Sequence, residues 1–291
     1  MLLTAHAKIN WALSVTGRRP DGYHLLDTLM HSVELGDLIR IQPAEKLSLS
    51  VVGNEGLPAG EDNLAFRAAR LLRETYRIRC GASIELTKRT PIAAGLGGGS
   101  ADAAAVLFGL NTLWGLSLQT TQLQALAARL GADVPFCLRG GLCRATGIGE
   151  RLEPVPCDGQ FDVLIVKPCE GLLTADVFAR YDALERPPVQ PDIDAALRAL
   201  QMEDRYALSG AMGNALEAVS VPLRPEIAVC AQTMERCGAL RAMMTGSGSA
   251  AIGLFDSPRA LSSAFDACKR IWPQAYQTRT VPYGISVISD G

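Results

Sequence analysis

Neither sign of charge is in excess in this chain of 291 residues. Its 28 lysines and arginines stand against 30 acids, a formal net charge of −2. That balance removes the electrostatic case for a nucleic-acid partner or an anionic membrane surface, so any bound anion must be held locally. No uninterrupted apolar run approaches the ~20 residues of a bilayer-spanning helix. Met1 to Asn10 lack a basic start followed by a long apolar core, so no signal peptide is expected and the expected compartment is the cytoplasm. Cys-x-x-Cys does not occur among the eight cysteines, and His6, His24 and His31 stand at no metal-ligand spacing beside them. A zinc or disulfide framework is unsupported, and buried free thiols are expected. Internal repeats and low-complexity tracts are absent too. The composition that remains, 48% hydrophobic and 20% charged, is that of a well-packed globule.

Strands and helices are mixed without strict alternation, which favours α+β over a doubly wound sheet. Strands are expected at 5–13, 37–42 and 47–52, with turn chemistry from Arg18 to His24. An amphipathic helix is expected at 63–76 with Asp62 as its N-cap, then a strand at 82–88. Helices near 100–113 and 121–130 follow, the second closed by Gly131. The Pro/Gly-rich stretch 153–159 marks a boundary, dividing the chain into domains at 1–158 and 159–291. Beyond it, strands are expected at 161–166 and 284–289, and helices near 193–200, 226–237 and 261–272. A second glycine loop, Thr245-Gly-Ser-Gly-Ser249, is expected between a helix and a strand.

The densest signal is the run Pro91, Ile92, Ala93, Ala94, Gly95, Leu96, Gly97, Gly98, Gly99, Ser100, Ala101 and Asp102. It follows a strand and feeds an Ala-rich helix. Glycines at four of the five positions 95–99 let backbone N–H groups turn inward, and the helix points its positive end at the same spot. A polyphosphate would find donors already aimed there. No lysine precedes Ser100, so the loop is not a Walker A loop. Read as a dinucleotide fingerprint from Gly95, its third glycine position is Ser100, and about 20 residues on, where an acid belongs, stands Gln119. A tight turn without a ligand is the bland alternative.

Phosphoryl transfer needs a phosphate cradle, a positive charge and a carboxylate beside the attacking hydroxyl. Asp133, in Gly131-Ala-Asp133-Val-Pro135, is the best placed carboxylate for a general base, with an aspartate capping a turn as its bland alternative. Lys8 interrupts an apolar strand with Asn10 two residues on, on the same face. It would support Asp133 or meet a phosphate; otherwise its stem lies along the sheet with its head in water. Tyr23 and His24 offer an aromatic face and a hydrogen-bonding ring for a base or sugar.

In this order the motifs closely resemble the GHMP kinase superfamily, whose signature is Pro-x-x-x-Gly-Leu-Gly-x-x-Ser with a helix behind. The resemblance rests on Ala7-Lys8-Ile9-Asn10, Arg19-Pro-Asp21-Gly22-Tyr23-His24, Glu61-Asp62-Asn63-Leu64, the glycine loop with its extra glycine, Gly131-Ala-Asp133-Val-Pro135 and Thr245-Gly-Ser-Gly. It implies a two-domain architecture: an N-terminal ATP-binding domain of the ribosomal-protein-S5-like type and a ferredoxin-like C-terminal domain, with the substrates meeting between them. It also implies ATP as cosubstrate with Mg2+, and as acceptor a cytidine-diphosphate methylerythritol of the non-mevalonate isoprenoid route. Asp133 would take the proton from the C2 hydroxyl and Lys8 would stabilise the charged partners. Pro91 to Ala101 would wrap the phosphates, with Asn63, Leu64 and Lys88 near the adenine. Tyr23 and Phe178 would sandwich the cytosine, His24 would read its edge, and Asn10 and Thr174 would lie close by. Ser100 is the candidate metal ligand, with no acidic ligand in view, and a monomer or homodimer is expected. A homoserine or mevalonate kinase is disfavoured by Tyr23 and His24, since neither substrate has a nucleobase. A non-catalytic nucleotide binder is disfavoured by Lys8 and Asp133 together, and a dinucleotide oxidoreductase by the failed fingerprint.

Overall fold

The computed structural model describes residues 1–53 and 56–288. Its elements run β1 (Leu2–Arg18), β2 (His24–Ala44), β3 (Ser48–Val52), α1 (Leu64–Thr75), β4 (Gly81–Thr87), α2 (Gly98–Leu113), α3 (Thr120–Ala128), α4 (Val134–Arg139), β5 (Leu142–Gly147) and β6 (Arg151–Val155). Then come β7 (Asp162–Val166), α5 (Thr174–Asp182), α6 (Ile193–Gln201), α7 (Arg205–Ala211), β8 (Gly213–Asn214), α8 (Glu217–Leu223) and α9 (Glu226–Arg236). The chain closes with β9 (Arg241–Met244), β10 (Ala251–Phe255), α10 (Pro258–Ile271), β11 (Ala275–Arg279) and β12 (Ile285–Ile288). Among the described residues no helix is long and apolar enough to cross a membrane.

The fold is α+β, built on two sheets. The first runs β12-β1-β2-β4-β3, with β5 and β6 continuing from β2 and β8 beside β1. The second runs β11-β7-β10-β9, all antiparallel. Read along the chain as β7-α9-β9-β10-α10-β11, it has the split βαβ connectivity of a ferredoxin-like domain. The first sheet is not confined to the first 158 residues, because β12 pairs with β1 from Leu2↔Ile288 to Ala5↔Ile285. Of the strand expected over 284–289, residue 289 lies outside the described residues.

Hydrophobicity on every side makes α2 the central helix. Its Ala101, Ala103, Ala104, Ala105, Val106, Leu107 and Leu110 are all buried, in one core with α1 and the first sheet. Small side chains let it come close: a Cβ on Gly109 would stand 2.5 Å from Ile41 Cδ1. The N-cap of α1 is Asn63 and not Asp62; its Oδ1 accepts from the Ala65 N–H at 2.9 Å. The second glycine loop joins two paired strands, β9 and β10, rather than a helix and a strand. Four residues of β9 are too few to show a strand period after a long helix. All eight cysteines are free, and Cys80 is exposed rather than buried.

A second core cluster joins the two sheets through Ile9, Trp11 and Leu29 on one side and Phe161, Ile165 and Leu254 on the other. His31 sits inside this seam, edge-on to Trp11 and Phe161, and its Nδ1 accepts from Trp11 Nε1 at 3.2 Å. Burial pushes its pKa down to about 3. The unfolded chain, near 6.5, binds the proton first, so stability is lost as pH falls from about 6.5 towards 3, by on the order of 4–5 kcal/mol in full. Between about pH 7 and 5 the wild type is therefore expected to lose about 2 kcal/mol more unfolding free energy than His31→Gln. Urea titrations of both proteins check this, and parallel pH slopes would refute it.

Candidate active site

The glycine loop closes the N-terminus of α2 and forms one wall of a cleft of about 590 Å³. Gly95 and Gly97 carry φ of 77° and 66°, values open to glycine at little cost. Three neighbours clamp the loop from behind. The Lys8 N–H donates to Leu96 O at 2.9 Å, the Ala250 N–H to Ala94 O at 3.2 Å, and Lys167 Nζ to Ile92 O at 2.9 Å. Its backbone therefore has fixed partners on the outer side.

The second glycine loop packs directly on the first. A Cβ on Gly95 would stand 2.3 Å from Thr245 O, and one on Gly246 would stand 2.7 Å from Gly95 O. Gly246, Ser247 and Gly248 also face the cleft. Gly95→Ala would add left-handed backbone strain to that overlap and push the loops apart. It is expected to cost about 2–3 kcal/mol of stability and to weaken ADP binding in parallel. Urea unfolding and ADP titration read both; an unchanged ADP affinity would mean that this close approach does not shape the cradle.

Opposite the loop stands Asp133, the N-cap residue of α4. Its side chain makes no capping bond, so the carboxylate is left to the cleft. Lys8 Nζ lies 3.7 Å from Asp133 Oδ2 and donates to Asn10 Oδ1 at 2.9 Å. Lys8 and Asn10 thus share a face, as alternation along the strand requires. Asn10 is itself fixed on both sides: its Nδ2 donates to Thr28 Oγ1 at 2.8 Å, and its backbone N–H to Thr245 Oγ1 at 2.9 Å. The lysine is buried, with 6% of its side chain exposed against 34% for Asp133. A held ammonium and a reachable carboxylate therefore share one cleft wall.

Most of the residues expected at the site line this cleft: Lys8, Asn10, Asn63, Leu64, Lys88, Pro91 to Ser100, Asp133, Thr174 and Phe178. Three do not. Ala101 is fully buried in the α2 core, where its N–H donates to Gly97 O. Tyr23 is 60% exposed on the β1–β2 turn, off the cleft wall. His24 stacks on Phe178, with ring centroids 4.6 Å apart and planes 17° from parallel, and its Nε2 is bound to Asp182 Oδ1 at 2.6 Å. One face of Phe178 is thus covered by the His24 ring.

Lys88 is held by two carboxylates. Its Nζ donates to Asp37 Oδ2 at 2.5 Å and to Asp102 Oδ2 at 2.7 Å. Asp37 Oδ1 accepts from the Arg89 and Thr90 N–H groups at 2.6 and 2.8 Å, which fixes the chain just ahead of Pro91. Burial pulls Lys88 down, but Asp102 and Asp37 more than offset it and hold the ammonium above its ordinary range. Burial pushes Asp102 up to about 8 against the pull of Lys88. Asp102 closes the glycine run, but Asp37 stands in no local motif, and only the fold brings the two to Lys88. Thr174 Oγ1 is 2.9 Å from Ser247 Oγ, tying α5 to the second loop.

Among the described residues no group of three or more acids, histidines or cysteines is arranged to hold a metal ion. Ser100 is on the cleft wall, and among the described residues its hydroxyl has no protein partner.

The chain matches two family models, "GHMP kinases N terminal domain" over residues 63–141 and "GHMP kinases C terminal" over residues 192–274. A protein of Pelotomaculum thermopropionicum named 4-diphosphocytidyl-2-C-methyl-D-erythritol kinase is 43% identical over 291 aligned residues, covering 96% of this chain and 98% of the relative. One of the same name from Geobacillus sp. (strain WCH70) is 38% identical, covering 96% of each. A crystal structure of a 4-(cytidine 5'-diphospho)-2C-methyl-D-erythritol kinase superposes with a TM-score of 0.82 at 36% identity, over 96% of this chain and 99% of that one. A homoserine kinase from Cytophaga hutchinsonii, at 21% identity and TM-score 0.76, shares the fold, over 99% of this chain and 97% of its own. With both domain models in place and relatives matching nearly end to end, the chain belongs to the GHMP kinases, in the family of the 4-diphosphocytidyl-2-C-methyl-D-erythritol kinases.

Proposed function

We propose that the chain transfers the γ-phosphoryl group of ATP to the C2 hydroxyl of 4-(cytidine 5'-diphospho)-2-C-methyl-D-erythritol, a step towards isoprenoid precursors outside the mevalonate route. The observation that carries this reading is the Lys8–Asp133 pair, 3.7 Å apart, in the same cleft as the glycine loop. The loop amides and the N-terminus of α2 cradle the phosphates. Asp133 receives the hydroxyl proton, and Lys8 offsets charge between the carboxylate and the transferred group. Asn10 holds Lys8 in place and takes no proton. Asn63 and Leu64 border the adenine side, with the Asn63 amide committed to Ala65 and Pro58, so that it shapes the wall. Lys88 is committed to its two carboxylates and acts on the nucleotide through the loop. Thr174 and Phe178 stand on the acceptor side, where Phe178 offers a nucleobase its open face.

With Mg2+ on the nucleotide, charge on its phosphate oxygens would be neutralised. The Ser100 hydroxyl, without a protein partner among the described residues, would hold one position on such an ion, since Mg2+ takes most of its ligands from phosphates and water. The two sheets support a division into a nucleotide-binding part, residues 1–158, and a second part, residues 159–291, that hands β12 back to the first. A coupled ADP-release assay tests the reaction. Release is expected with the cytidine-diphosphate methylerythritol and not with mevalonate or homoserine; turnover of either of those in its place would overturn the assignment.

A further inference from the structure

Asn214 spends its side-chain amide entirely on backbone. Its Nδ2 donates to Met244 O at 3.0 Å and to Gly246 O at 2.8 Å, and its Oδ1 accepts from the Leu216 N–H at 3.0 Å. The residue is buried and belongs to β8, a strand of two residues that pairs with β1 at Ala12 and Leu13. Its backbone thus rides on the strand that carries Lys8 and Asn10, while its side chain crosses to β9 and the second glycine loop. β9 is an edge strand of the second sheet, so its outward backbone groups have no strand to meet. Glu217, three residues on, takes the Met244 N–H there at 2.9 Å.

Met244 and Gly246 flank Thr245, which is fully buried. The Thr245 hydroxyl accepts from the Asn10 N–H at 2.9 Å and points its own proton at Asn10 Oδ1, 3.5 Å away. That same oxygen takes Lys8 Nζ at 2.9 Å. An unbroken series of contacts therefore runs from Asn214 through Thr245 and Asn10 to the ammonium beside Asp133. The first contact needs two donors on one side and an acceptor on the other. A carboxylate lacks the donors and an alkyl side chain lacks both, so the amide is specific to the place.

We propose that Asn214 is a positioning residue for Lys8. By holding the residues on either side of Thr245 it sets the hydroxyl against Asn10, and so the ammonium against Asp133. The proposal rests on the phosphoryl transfer argued above, and deepens it with a residue that is not on the cleft wall.

Asn214→Ala is expected to lower kcat by about ten- to hundredfold, the cost of misplacing a charge by about 1 Å, with ADP affinity within about threefold of wild type. Thr245→Val keeps the shape and removes the hydroxyl; it is expected to match that loss, and Thr245→Ser to restore kcat to within about threefold. Ser220→Ala is the control for a loosened loop. Its hydroxyl holds Ser247 O at 3.2 Å, beyond the residues that flank Thr245, and kcat is expected to stay within about twofold. In a Lys8→Met background, Asn214→Ala is expected to change the single-turnover rate by less than about twofold, as for a residue that acts only through that lysine. A loss that multiplies with Lys8→Met would overturn the proposal, as would a loss in Ser220→Ala equal to that in Asn214→Ala. Melting curves verify folding, and should Asn214→Ala not fold, Thr245→Val in the same background carries the test.

The series of contacts also has a readout that needs no ligand. The ¹H shift and hydrogen exchange of the Asn10 backbone amide are expected to change in Asn214→Ala and Thr245→Val, and to hold in Ser220→Ala. An unchanged Asn10 amide in Asn214→Ala would overturn the proposal. Wild-type protein that phosphorylates no cytidine-linked acceptor, yet whose Asn10 amide responds, would instead overturn the reaction assigned above and leave the link from Asn214 to Asn10 standing.

Discussion

Asp133→Asn is expected to lower kcat by ~10²–10⁴, the contribution of a general base, while ADP affinity changes by less than about twofold. The amide has the shape of the carboxylate but cannot take up the proton released when the acceptor hydroxyl attacks. The structure isolates that effect well. Asp133 occupies the N-cap position of α4 without making a capping bond, so the substitution removes no helix-stabilising contact. Lys8 keeps its bond to Asn10 Oδ1 and stays in place. The bonds that hold the glycine loop at Leu96, Ala94 and Ile92 do not involve Asp133. Rapid-quench turnover with ATP in excess and an ADP titration separate chemistry from binding. Turnover within about tenfold of wild type would remove Asp133 from the proton path, and a matching loss of ADP affinity would make it a cradle residue.

The parts of this site that were legible in the sequence are those in which chemistry and spacing coincide locally. Glycine at 95 and 97 followed by an Ala-rich helix can be read as a cradle because backbone conformation is a local property. Lys8 and Asn10 share a face because a strand alternates. Asp133 stood out through its rigid neighbours, although only coordinates separate a free carboxylate from a cap. Asp62 and Asn63 are both good capping residues side by side, and the choice falls to the backbone: Asn63 is the extended residue whose Oδ1 reaches the Ala65 N–H. Other features are invisible for a definite reason. Asp37 is 51 residues from Lys88, and Asp182 is 158 from His24, so no window of sequence contains either pair. Six residues of α4 are too few for a helical period to rise above its surroundings. Tyr23 and His24 read as ligand residues because aromatic and imidazole rings suit a base. No stretch of sequence around His24 holds the carboxylate that its ring meets, that of Asp182.

Lys88→Met is expected to cost about 3–5 kcal/mol of unfolding free energy at neutral pH, the penalty for stripping a buried ion cluster of the cation that bridges it. Methionine nearly matches the stem in length, so little packing is lost. What remains is Asp37, wholly buried, facing Asp102, whose side chain is 4% exposed. Burial already pushes Asp102 up to about 8 with the lysine in place. Without it, the Asp102 carboxyl is raised further above its unfolded value, so its protonation favours the fold. The deficit is therefore expected to shrink as pH falls and to be smaller near pH 5 than near pH 9. Lys88→Met combined with Asp102→Asn removes one of the facing charges and is expected to recover part of the loss, while Asp37 keeps the Arg89 and Thr90 N–H groups. Urea titrations of the three proteins at about pH 5, 7 and 9 check the whole pattern. A loss below about 1 kcal/mol, the same at every pH, would mean that the cluster carries no net charge penalty. The same pair of N–H bonds sets where the chain enters the loop at Pro91, so nucleotide affinity should fall with stability in the single variant and return with it in the double one.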